Sequence, residues 1–89
     1  MKLKYQFAIH QIADFWAAVP VGRDAANYHN VISLNVSACD MMRFLQQDIT
    51  FDQLVELMQK EYEDVDADTL RSDAEAFVQQ LRNANVLVE

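Results

Sequence analysis

The sequence predicts an α+β domain in which three N-terminal strands precede three helices and a short extended tail. Apolar residues alternate with period two in the first third, and the period becomes helical after residue 35. Helix-start signals then follow at Asn35, at Thr50 and near Asp66. The chain has 89 residues, 52% of them hydrophobic, with five Phe, three Tyr and one Trp. That is one domain spanning residues 1–89, apolar enough to build a core without metal or disulfide.

The strands come first. Tyr5, Phe7 and Ile9 alternate with Gln6, Ala8 and His10, the pattern of a half-buried strand. Phe15-Trp16-Ala17-Ala18-Val19-Pro20-Val21 is a second run, rich in aromatic and β-branched residues. Pro20 lacks an amide donor, which suits an edge, a bulge or a strand end. Gly22, the only glycine, opens a polar connection through Asn30, and Val31-Ile32-Ser33-Leu34 is a short third strand with Ile32 and Leu34 on one face.

The helices follow. Asn35 N-caps the first, whose inner face is Ala38, Met41, Met42 and Leu45. Thr50-Phe51-Asp52-Gln53 is a capping box, with Ile49 and Leu54 as its hydrophobic staple and Leu54, Val55, Met58 and Tyr62 as the apolar stripe. The third helix begins near Asp66, where Asp66 and Asp68 complement the helix dipole. Its stripe is Leu70, Ala74, Phe77, Val78 and Leu81. Asn85 serves as a left-handed cap before the tail Val86-Leu87-Val88. Two helices joined by a short turn and followed by a third resemble a winged helix-turn-helix core.

Charge and motifs narrow the function. Net charge is −7, and residues 48–75 hold ten acids against two bases while the rest sums to +1. Phosphate contacts require the opposite sign, so nucleic acid is not an expected partner. Asp64, Asp66, Asp68 and Glu75 fall on positions one, three, five and twelve of a calcium loop, but Thr69 stands where glycine is needed and Arg71 where an apolar residue is usual. A dipole-matched helix start explains those acids better. His10, His29 and Cys39 are widely separated and make no paired metal-ligand spacing, so no metal or other cofactor is expected. Cys39 has no base predictably near it, and one glycine cannot build a phosphate-binding loop, so no catalytic residue is expected either. The N-terminus has no apolar segment of the signal-peptide type, and no run approaches a membrane span. A cytoplasmic location with no membrane partner is the expectation.

The order of these pieces resembles the coenzyme PQQ synthesis protein D (PqqD) family over nearly the whole chain. The matching features are Val31-Ile32-Ser33-Leu34-Asn35 followed by a helix ending near Leu45, then Phe51-Asp52-Gln53-Leu54-Val55, Lys60-Glu61-Tyr62 and Ser72-Asp73-Ala74-Glu75-Ala76-Phe77 with Leu81. Val19-Pro20-Val21-Gly22 and the segment to Asn30 also fit the family. The resemblance implies a non-catalytic recognition element for ribosomally made precursor peptides. It would hold a leader as an added strand beside the third strand, with the third helix as the other wall. It would then deliver the precursor to a modifying enzyme, often a radical S-adenosylmethionine enzyme, making PQQ or another peptide-derived product. An exposed strand edge has the unpaired amides and carbonyls that such addition needs. The expected peptide-binding residues are Val31, Ile32, Ser33 and Leu34 on the strand, with Arg71 and Asp73 at the rim and Leu70, Ala74, Phe77 and Val78 either for apolar contact or wholly in the core, the core being favoured for Phe77. The competing reading, a winged-helix transcription factor or other protein-interaction domain, would want a basic third helix.

Overall fold

The computed structural model describes residues 1–28 and 30–89. His29, expected in the connection and weighed as a metal ligand, lies outside the described residues. The elements are β1 (Lys2–Leu3), β2 (Phe7–Ile12), β3 (Phe15–Pro20), α1 (Asp24–Asn27), β4 (Ile32–Leu34), α2 (Val36–Phe44), α3 (Phe51–Glu61), α4 (Ala67–Asn83) and β5 (Leu87–Val88). The α+β class and three longer helices are as expected. The strands, however, do not all precede the helices: the one-turn α1 separates β3 from β4. The tail also closes back as β5, paired antiparallel with the added strand β1.

The main sheet has the order β2-β3-β4, antiparallel throughout. β2 and β3 form a hairpin around Ala13 and Asp14, and Ala13 takes φ 54° to make the turn. In a two-residue hairpin the flanking residues exchange both backbone bonds, so Ile12 pairs in this way with Phe15, and likewise every second residue along the ladder. The bond from Val21 N to Gln6 O at 3.1 Å keeps that parity. Pro20, opposite Phe7, therefore falls at a position whose nitrogen faces away from β2. It ends the central strand at no cost to the hairpin.

Opposed residues share a face. Phe7, Ile9, Trp16, Ala18, Ile32 and Leu34 lie toward the helices, where Ala18, Ile32 and Leu34 are buried and the others pack against the core. The outer face carries Ile12, Phe15 and Val31, all exposed.

The helices are anchored by their caps. Asn35 accepts from Ala38 N at 2.8 Å, Thr50 and Gln53 complete the reciprocal box, and Asp66 accepts from Thr69 N at 3.3 Å. Helix therefore runs through Thr69, Arg71 and Glu75, the residues a calcium loop would have to bend. Met41, Met42, Leu45, Leu54, Met58, Val78 and Leu81 form the fully buried centre. Across α2 and α3, Tyr62 Oη donates to Asp40 Oδ2 at 2.5 Å, and Arg43 bridges Asp40 and Glu61. Asn85 adopts φ 58°, turning the chain out of α4 so that Val86 is buried.

Candidate functional site

The free edge of β4 follows from the ladder. Phe15, Ala17 and Val19 aim their backbone groups at β2, so Trp16 and Ala18 aim theirs at β4. Their partners are Leu34 and Ile32. Ile32 and Leu34 thus spend their amides and carbonyls on β3, while Ser33 directs its own outward. The side chains obey the reverse logic: Ile32 and Leu34 fill the core, and Ser33 is exposed.

That edge borders a groove of about 250 Å³. Ser33, Asn35 and Ser37 line it on one side; Asp73, Ala76, Phe77 and Gln80 of α4 line the other. Ala38 and Met41 of α2 make the floor. The four α4 positions recur at i, i+3, i+4 and i+7, one stripe of the helix. The groove is smaller than the roughly 300–1,000 Å³ that encloses a drug-sized ligand. Its apolar floor and polar rim suit one or two side chains of an extended chain.

Of the expected site residues, the structure brings Ser33, Asp73 and Phe77 to the groove. Val31, expected as the first residue of the strand, lies just before β4 and is 55% exposed. Leu70, Ala74 and Val78 face the other way, into the core, at 4%, 0% and 1% exposure. They belong to the apolar stripe that seats α4 on α3 and do not line the groove. Phe77 sits where the stripe meets the groove. Arg71 is directed toward α3, where its guanidinium lies 3.3 Å from Asp52 Oδ1 and 5.5 Å over the Phe51 ring. Asn35, Ser37, Ala38, Met41, Ala76 and Gln80 were not among the expected residues. The spacing of the α2 pair predicts core, and a groove floor uses the same residue types.

Electrostatically the groove is simple. Asp73 is its one ionisable lining group. Cys39, beside the floor, has its thiol pKa pushed up by burial and by the adjacent Asp40 carboxylate, which disfavours the reactive thiolate. Among the described residues no group of three or more His, Cys, Asp or Glu is placed to hold a metal.

The family model of coenzyme PQQ synthesis protein D (PqqD) matches residues 20–87, which include β4, α2 and α4 and so both walls of the groove. Among solved structures, that of TbiB1 in complex with the TbiA(beta) leader peptide is similar, with a TM-score of 0.68 and 20% identity, covering 98% of this chain and 94% of that one. At that identity the likeness is one of fold. No curated protein matches the chain.

Proposed function

The chain belongs to the coenzyme PQQ synthesis protein D (PqqD) family, and on that premise we propose that it captures the leader of a ribosomally synthesised precursor peptide by strand addition. In this reading it is a non-catalytic module that presents the precursor to a modifying enzyme in the cytoplasm. The observation that carries the proposal is the outward amide and carbonyl of Ser33 beside the apolar floor of Ala38 and Met41 and the Phe77 wall. An added strand would satisfy both backbone groups and place alternate side chains on that floor. The leader peptide bound to the similarly folded TbiB1 supports the partner class. The enzyme would be of the kind that modifies peptides, such as a radical S-adenosylmethionine enzyme, and the product, PQQ or another, would follow from the peptide and enzyme. The packing of α2, α3 and α4 on the strands is read as winged helix-turn-helix-like, adapted to a peptide.

A DNA-binding role fits less well. The two cations of α4 are committed, Arg71 to Asp52 and Arg82 to Glu89 at 2.7 Å. Asp66, Asp68, Asp73 and Glu75 leave that helix acidic, so no salt-sensitive duplex binding is expected.

Two proline variants test the reading. Ser33→Pro removes an outward donor and no ladder bond, so the protein should stay folded by circular dichroism and lose binding, by calorimetry, to its precursor leader peptide. Ile32→Pro removes a bond to β3 and should destabilise the fold. A folded Ser33→Pro variant that binds as tightly as the wild type would rule out strand addition at this edge.

A further inference from the structure

Resting on the strand-addition reading, we propose that Asp73 makes the groove selective for a cationic peptide segment, with two apolar residues two positions apart and a Lys or Arg beside them.

The walls set the length. Three residues of β4 span about 10 Å, and the seven residue steps from Asp73 to Gln80 also rise about 10 Å. The groove therefore grips about three residues of an extended chain. Those opposite Ile32 and Leu34 lie on the helix side, over Met41 and Phe77, and should be apolar. The one opposite Ser33 emerges on the outer sheet face.

The charge comes from Asp73. It is exposed and, among the described residues, its side chain makes no hydrogen bond or ion pair. The other lining groups are neutral, so nothing in the groove compensates it. Its surroundings reinforce the sign, since residues 48–75 carry ten acids and two bases. Such a field speeds the approach of a cation and penalises an acidic segment, the more so at low salt. Asp73 also stands at one end of the α4 wall and neutral Gln80 at the other. The cation therefore belongs at one end of the gripped segment, which gives the peptide a direction.

Display selection of random dodecapeptides on the 89-residue protein tests this, with anisotropy titration of the winners. An exposed ion pair changes affinity a few-fold, so Asp73→Asn should weaken the winners about threefold and Asp73→Lys about tenfold. Glu63→Lys, at another exposed acid outside the groove, should matter much less. Winners should carry an apolar-x-apolar pattern with a neighbouring Lys or Arg, and lose affinity as salt rises. Neutral or acidic winners that ignore Asp73→Lys yet are lost on Ser33→Pro would overturn the charge selection and leave strand addition standing. Winners indifferent to both variants, or a library that enriches none, would remove strand addition and this proposal with it.

Discussion

Replacing Tyr62 by Phe deletes one hydroxyl and leaves the ring against the core. The hydroxyl donates to Asp40 Oδ2 at 2.5 Å, tying the end of α3 to α2. A hydrogen bond to a charged group contributes about 1.5–3 kcal/mol. Here the Asp40 side chain is 26% exposed and retains Arg43 at 3.1 Å, so the lower end applies, about 1–2 kcal/mol. For a domain of this size each kcal/mol moves the melting temperature roughly 4–8 °C, which gives a drop of about 4–16 °C by calorimetry. The pH dependence provides a second reading. Burial, followed by the hydrogen bond to Asp40, pushes the Tyr62 phenol from its ordinary value of 10.0 up to about 12. With the folded pKa raised, the unfolded chain releases this proton first. The stabilisation is then whole below pH about 10 and is lost as pH climbs toward about 12. The gap between wild type and Tyr62→Phe should close over that window. A melting shift under about 2 °C, or two stability curves that stay parallel through it, would refute the assignment.

Thr50→Ala removes the bond to Gln53 N at 3.1 Å and one half of the reciprocal box, so it should cost about 1 kcal/mol in urea unfolding. Calcium should leave the melting temperature unchanged, because Asp66 is occupied in capping α4; a clear upward shift would contradict that helix start. Asn85→Val forces a β-branched residue to φ 58° and should cost about 1–2 kcal/mol, whereas Asn85→Gly should be tolerated.

Much of the fold was legible because its signals are local. Asn35, Thr50 and Asp66 each hydrogen-bond an amide three residues on, so their roles follow from neighbouring sequence alone. The period-two runs likewise marked β2 and β3. What escaped was non-local. β1 and β5 are two residues each and form because β1 meets β5 from the far end of the chain, with Lys4 N donating to Val86 O at 2.7 Å. The turn of α1 is held from outside, by Asp24 Oδ2 accepting from Gln6 N at 2.7 Å. The groove shows the same division. β4 and α4 were its expected walls, but which edge amide points outward depends on the parity of a hairpin twenty residues upstream. On α4, Leu70, Ala74 and Val78 fall on the core stripe, the alternative their spacing leaves open, while Asp73 and Phe77 reach the groove with Ala76 and Gln80.

The central claim, that Ser33 offers its backbone to an added strand, is tested most directly by amide hydrogen exchange on the free and peptide-bound protein. In the free protein Ile32 and Leu34 should be protected by β3 while Ser33 exchanges rapidly. Saturation with the precursor leader should slow Ser33 by orders of magnitude and leave the two neighbours protected as before. A peptide that binds tightly while the Ser33 amide keeps exchanging at its free rate would contradict the account.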